Sequence, residues 1–213
     1  NKEKNIIPVR NIEITVDRET GVITMMNDGN GVDVAKHPEN DLWIPEMIFG
    51  HLRTSTNYKK DEKKIVGGKN GFGFKLVLIY SKWGEVETVD HVRRKRYTQR
   101  FENNLTDILK PTVRKSQSKP YTKVTWLPDY ERFGLEGLTD DMFNLFKKRT
   151  YDIGVVTDKS VKVKFNGKAV PNKNFEQYMD IYIGPKTETK RVYEIPHERW
   201  EIGACLSPLD EFT

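Results

Sequence analysis

Gly67-Gly68-Lys69-Asn70-Gly71-Phe72-Gly73-Phe74-Lys75 runs directly into the apolar stretch Leu76-Val77-Leu78-Ile79-Tyr80. Four glycines let the backbone turn tightly and approach a ligand with no Cβ in the way. The apolar run reads as a helix over 71–81, whose first turn offers unpaired N–H groups and a positive dipole end. Lys69 and Lys75 add charge, so the stretch fits a phosphate. A tight turn with close packing would use the same glycines. The spacing is not Walker A, because no Ser or Thr follows Lys75 as that motif requires. Nor is 53–66 the buried strand that a Rossmann unit needs.

Working outward, the polar, lysine-rich segment 53–70 is long for a connection, which marks a lid or a binding loop. Within it, Thr54-Ser55-Thr56-Asn57 supplies hydroxyls and an amide for ribose and phosphate oxygens, or for ordinary loop capping. Before it, residues 42–52 read as a helix with Pro45 in its first turn. Asn11 to Val16 alternates as a half-buried strand, and 22–26 returns as a second. Asn27-Asp28-Gly29-Asn30-Gly31 follows. It reads as a strand-ending turn, or as an amide held over an adenine edge, with glycines letting the backbone reach the base.

Further strands are expected at 84–90, 96–102 and 121–127, with Tyr97, Gln99 and Phe101 on one face, and 103–120 as an irregular excursion. Thr139 caps a helix whose apolar stripe is Met142, Leu145, Phe146 and Ile153. Val161 to Phe165 is a strand entering an Asn166-Gly167 hairpin. Residues 174–183 are helical, and 191–206 gives two more strand-like runs. This order predicts an α+β sandwich with helices on one face of a mixed sheet.

The chain has 213 residues, 36% of them hydrophobic and 31% charged, with a net charge of +5. No apolar run is long enough for a membrane helix. One cysteine excludes an internal disulfide, and four histidines do not fall into a zinc spacing. The basic balance favours a polyanion partner. Arg93-Arg94-Lys95-Arg96 is the densest basic run, either a solvated turn or a contact to DNA phosphates. Glu46, Asp61 and Glu62 read as solvated charges.

Taken together, these segments resemble the GHKL (Bergerat) ATPases, and within them the ATPase region of type IIA DNA topoisomerases of the eukaryotic kind. The resemblance rests on Ile44-Pro45-Glu46-Met47-Ile48-Phe49-Gly50, Leu52-Arg53-Thr54-Ser55-Thr56-Asn57-Tyr58, Asp61-Glu62-Lys63-Lys64 and the Gly67–Lys75 loop. Arg149-Thr150-Tyr151-Asp152-Ile153, Val161 to Gly167 and Tyr178-Met179-Asp180-Ile181-Tyr182 extend it over nearly the whole chain.

The resemblance implies a nucleotide-binding domain over 1–185 and the start of a transducer domain over 186–213. It implies ATP with Mg2+ as cofactors and an enzyme that passes one DNA duplex through a transient break in another as its ATPase domains dimerise. Double-stranded DNA and a second copy of the parent enzyme are the partners. No membrane is involved, and the place of action is the nucleus, or a viral replication site or virion. By the same resemblance Asn27 contacts adenine, with Gly29 and Gly31 shaping that pocket. Ser55, Thr56 and Asn57 touch sugar and phosphate, and Gly68, Lys69, Asn70, Gly71, Phe72, Gly73, Phe74 and Lys75 wrap the triphosphate.

Two positions depart from the family pattern. Lys69 stands where Arg is usual, losing a planar fork, and Phe74 stands where a small residue is usual. Such drift suits a distant lineage, for example one carried by large DNA viruses. The resemblance also places the family's catalytic glutamate and Mg2+-binding asparagine before Asn1, and its switch lysine after Thr213. The expectation is a processed or excised piece with little ATPase activity alone and no catalytic base or metal ligand of its own. The rival readings are a non-hydrolysing GHKL dimerisation or interaction module, and another GHKL machine such as a chaperone or mismatch-repair ATPase.

Overall fold

The computed structural model describes residues 6–39, 41–51 and 71–207. Among these, one mixed sheet carries nearly every strand. β1 (Asn11–Val16) and β2 (Ile23–Asp28) form an antiparallel pair, with Val16 opposite Ile23 and Ile12 opposite Asn27. Two short helices follow, α1 (Ile44–Gly50) and α2 (Gly73–Ile79). β3 (Ser81–Asp90) and β4 (Lys95–Glu102) then make a long hairpin. The stretch expected to be irregular contains two short strands, β5 (Asp107–Ile108) and β6 (Thr112–Lys115), both paired with β4. β7 (Tyr121–Pro128) inserts between β3 and β2. The long helix α3 (Asp140–Val156) leads into β8 (Lys162–Phe165), which runs parallel to β1 and turns into β9 (Lys168–Ala169). Sheet order is β5-β4-β3-β7-β2-β1-β8-β9, with β6 alongside β4.

Alternation decides which face is buried. Ile14, Val16, Ile23, Val86, Phe101, Val124, Trp126 and Phe165 project to one side and form the core. Phe49, Phe74, Val77, Phe143, Phe146 and Ile153 from α1, α2 and α3 cover it. Burying each large side chain stabilises the fold by about 1.5–3 kcal/mol. Gly84 is required because Leu78 of α2 lies across it, 2.3 Å from where a Cβ would stand. α3 starts as expected, with Thr139 Oγ1 accepting from Met142 N at 3.2 Å. Its inward stripe differs by one position: Phe143 faces the core and stacks edge-on to Phe165, while Leu145 is exposed. Asn166 and Gly167 take φ of 46° and 77° at the β8–β9 turn, as the Asn-Gly hairpin signal demands.

The remaining elements lie apart from this sheet. α4 (Phe175–Ile183), capped by Asn174 Oδ1 on Gln177 N, is followed by the separate two-stranded sheet of β10 (Arg191–His197) and β11 (Trp200–Cys205). Met179 of α4 packs on Gly203 of β11. Arg191, with a side chain 2% exposed, ties the two together through Asp180 Oδ1 at 2.6 Å and the Gly184 carbonyl. No helix among the described residues is long and apolar enough to cross a membrane.

Candidate nucleotide site

Asn27 lies within β2, whose end is Asp28, so the strand runs two residues further than the turn reading expected. Asn27 is in phase with Ile23, so its side chain belongs to the helix-covered face. Its neighbours in that row are Thr122 on β7 and, beyond it, Thr88 on β3. From Asn27 through Thr122 to Thr88 the row is polar, while the next row inward, Met25, Val124 and Val86, is apolar, and on its other side Asn27 meets Ile12. Asn27 Nδ2 donates to the Asp28 carbonyl at 2.8 Å, and among the described residues nothing donates to its Oδ1. That oxygen can accept from an exocyclic amino group.

The loop after Asn27 is pinned to the sheet rather than free. Thr88 Oγ1 accepts from Val32 N at 2.9 Å, donates to the Tyr121 carbonyl and lies 3.1 Å from Thr122 Oγ1. Asp90 Oδ2 accepts from Val34 N at 2.9 Å, and Asp90 Oδ1 accepts from Val92 N and Arg93 N. Burial alone would push the Asp90 carboxyl up, but these N–H donors and the Arg93 guanidinium outweigh it and hold it below its ordinary value. Gly31 has φ of 69°, and a Cβ there would stand 2.1 Å from the Val89 carbonyl oxygen. Gly29, at φ of 109°, passes 3.0 Å from Val9 Cγ2 on the same measure. Asp28 Oδ1 accepts from Arg10 N and Asn11 N at 2.7 and 2.8 Å, so the residue beside Asn27 anchors the incoming chain. Thr88, Thr122, Asp90 and Asp28 are the supports that sequence reasoning missed. Only the strand register brings the first three beside residues 27–34.

The glycine-rich segment is described from Gly71 onward. Gly71 has φ of 69°, and Phe72 precedes α2 as an exposed N-cap that makes no side-chain cap bond. α2 is two turns long, shorter than the 71–81 helix expected, so its dipole contributes less than that reading supposed. Among the described residues a Cβ on Gly73 would meet nothing within 4 Å. Phe74 turns the other way and packs edge-on to Phe49, with ring centroids 5.0 Å apart. Its bulk serves the α1–α2 contact. Lys75 is 3% exposed, and burial lowers its ammonium pKa. α2 packs on β3 and β7, and Asn27 projects from β2 on the other side of β7. The two candidate elements therefore share one face of the sheet. Ser55, Thr56, Asn57, Gly68, Lys69 and Asn70 lie outside the described residues, as do Asp61 and Glu62.

Two sequence readings are corrected. Glu46 is not a solvated helix charge: its side chain is 14% exposed, and its Oε2 accepts from Gln99 Nε2 at 2.9 Å. Tyr97 OH donates to Gln99 Oε1 at 2.5 Å, extending this bridge from β4 to α1. Arg93, read as part of a solvated turn or a DNA contact, pairs within the chain. It reaches back to Asp90 Oδ2 at 3.0 Å and Asp33 at 3.6 Å.

No protein-family model matches the chain. It is 45% identical over 201 residues to DNA topoisomerase 2 of Acanthamoeba polyphaga mimivirus, covering 94% of this chain and 16% of that protein. It is 41% identical over 203 residues to DNA topoisomerase 2 of Arabidopsis thaliana, covering 92% and 14%. The chain thus spans about a sixth or less of the curated relatives it matches. Among solved structures, the ATPase region of Saccharomyces cerevisiae topoisomerase II superposes with a TM-score of 0.88 at 37% identity, covering 93% of this chain and 53% of that one. The ATPase and transducer domains of DNA topoisomerase II from Balamuthia mandrillaris superpose at 0.84 with 34% identity, covering 92% and 50%.

Proposed function

Because this chain matches the ATPase region of DNA topoisomerase II over nearly its whole length, we propose that it is the ATP-binding part of a type IIA DNA topoisomerase. The carrying observation is the polar row at Asn27, held against the pinned Gly29–Gly31 loop on the same sheet face as α2. In this reading Asn27 Oδ1 accepts from the adenine amino group, and the positive-φ glycines keep side chains out of the base's path. Gly71, Phe72, Gly73 and Lys75 follow the phosphates, with Ser55, Thr56, Asn57, Gly68, Lys69 and Asn70 completing the enclosure. The fit is physical. Among the described residues nothing lies within 4 Å of a Cβ at Gly73, which leaves the start of α2 open to a ligand.

Bound ATP would supply the phosphoryl group whose cleavage drives the parent enzyme's cycle. The chain's own residues bind, orient and enclose it. For Mg2+, the described residues hold no cluster of His, Cys, Asp or Glu that could take a metal ion, so no step is assigned to it here. Residues 1–185 then form the nucleotide-binding domain, and 186–213, with β10 and β11, begin a transducer domain. The parent enzyme acts on duplex DNA as a homodimer, in the nucleus or at a viral replication site.

Calorimetric titration with a non-hydrolysable ATP analogue and Mg2+ tests the reading. Binding is expected, and Asn27→Ala should weaken it by about tenfold or more through loss of the amide partner. At a hundredfold excess over Kd the ligand should add about 2.7 kcal/mol to stability, visible as a rise in Tm. No binding, or an Asn27→Ala protein that binds as well as the parent, overturns it.

A further inference from the structure

The basic run resolves into a built surface once β6 is seen. β6 lies antiparallel to β4 with Arg96 opposite Arg114 and Lys95 opposite Lys115. Like charges directly across a strand pair are destabilising, and alternation sends the two pairs to opposite faces, Lys95 and Lys115 to the face of Tyr97, Arg96 and Arg114 to the face of Thr98 and Thr112. Ser116 N donates to the Arg94 carbonyl at 2.8 Å, which fixes the end of β6 against the β3–β4 turn. Arg94 and Lys119 are exposed beside them. Among the described residues, none of Arg94, Lys95, Arg96, Arg114, Lys115 or Lys119 has a carboxylate within ion-pair distance. Glu87, whose carboxylate feels Arg96, is already held by Lys123 at 3.0 Å and Tyr121 OH at 2.6 Å.

Two recesses open on this corner. One, of about 290 Å³, is lined by His91, Arg94, Ser116, Gln117 and Ser118. The other, of about 280 Å³, is lined by Glu87, Arg96, Thr98, Thr112 and Arg114. Arg96 Nη2 donates to Ser118 Oγ at 3.2 Å, linking the segments, while the Nε of Arg96 has no hydrogen-bond partner.

We propose that this corner of the sheet, centred on Arg94, Arg96 and Arg114, is a second binding site, separate from the nucleotide pocket, for the phosphate backbone of duplex DNA. Guanidinium groups beside hydroxyls and an amide are the side chains that contact phosphate oxygens. Neither recess is lined by Phe, Tyr or Trp, and His91 is the one ring there, so the site favours a backbone over stacked bases. The unrelieved Arg96–Arg114 pair is retained because a polyanion, not a carboxylate of this chain, neutralises it. The inference rests on the proposed function only for the identity of that polyanion.

The test is fluorescence anisotropy of a 20-base-pair duplex with the full chain over a range of salt concentrations. Binding by the parent chain is expected to fall with salt. The double variant Arg94→Glu/Arg114→Glu should bind about tenfold more weakly, with the log–log salt slope reduced by about two. Its Tm should not fall, because Arg114→Glu relieves the repulsion with Arg96. Arg94→Gln/Arg114→Gln should change the slope in the same direction and decides the matter should the reversal impair folding. Lys147→Glu/Lys190→Glu, with the same net charge change elsewhere, should leave the slope near that of the parent.

An unchanged slope in the Arg94/Arg114 variants overturns the proposal. So does an equal loss in the control, or a single strand of the same length bound as tightly as the duplex. Binding of the ATP analogue, measured on the same samples, should be equal in all of them. Its absence would count against the nucleotide reading without touching the slope comparison.

Discussion

Single residues divide here into those that shape the pocket by conformation and those that do so by charge. Gly31 and Gly73 are both glycines of candidate binding segments, but their surroundings are opposite. Gly31→Ala places a methyl against a backbone carbonyl at positive φ, and should destabilise by about 2–4 kcal/mol in urea unfolding. Among the described residues Gly73→Ala meets nothing within 4 Å and should stay within about 1 kcal/mol of the parent. It should nevertheless weaken ATP-analogue binding if the backbone approaches phosphate there. A Gly73→Ala protein that binds normally would remove that residue from the site.

Asp90 is a test by pH. Its folded pKa lies below the ordinary 3.8, so its stabilising effect is complete above that value and is lost as pH falls through the folded pKa. Asp90→Asn should therefore be destabilised by about 1–3 kcal/mol at pH 7. The gap to the parent should close only below about pH 3.8. A gap that persists undiminished at lower pH would mean that packing, not the carboxylate's hydrogen bonds, is what matters.

At the scale of elements, caps and turns were legible in the sequence, and supports were not. Thr139 as a cap and Asn166-Gly167 as a turn depend on backbone within a few residues of themselves, and in those roles each does what its residue type predicts. The alternation of Tyr97, Gln99 and Phe101 likewise survives intact as the buried face of β4. What failed was anything decided by register across distant strands. β5 and β6 are too short to carry their own periodicity and exist because β4 offers an edge. Thr88 reads as one strand residue among many until β2, β7 and β3 line up. Glu46 looks like a solvated charge until Gln99 is seen to face α1. Gln99 Nε2 bonds both Glu46 and the Leu109 carbonyl. Glu46→Ala should therefore leave a buried donor short of an acceptor and destabilise by about 1–3 kcal/mol, whereas Glu46→Gln keeps an acceptor and should cost less. Equal losses for the two variants in thermal unfolding would remove this bridge from the account.

At the scale of the molecule, the main sheet and the small β10–β11 sheet are joined through α4. Tyr178 OH donates to Asp152 Oδ1 at 2.5 Å and ties α4 to α3, while Arg191 ties β10 to α4, with its guanidinium buried between Asp180 and Gly184. Arg191→Ala leaves that carboxylate and carbonyl without their partner and should destabilise by about 3 kcal/mol. Faster hydrogen exchange should be confined to α4, β10 and β11, and uniform acceleration across β1–β8 would contradict this picture. The parallel pairing of β1 with β8 carries a different consequence, one for the order of assembly. Asn166 clasps Val16 from 150 positions away, accepting from its N–H at 2.8 Å and donating to its carbonyl at 3.1 Å. Closing so long a loop is entropically slow. On a ribosome, β1 must therefore wait beside β2 with its other edge bare until β8 emerges. A nascent chain halted before residue 162 presents that naked edge to its neighbours, and this is where the newly made protein is most exposed to intermolecular strand pairing.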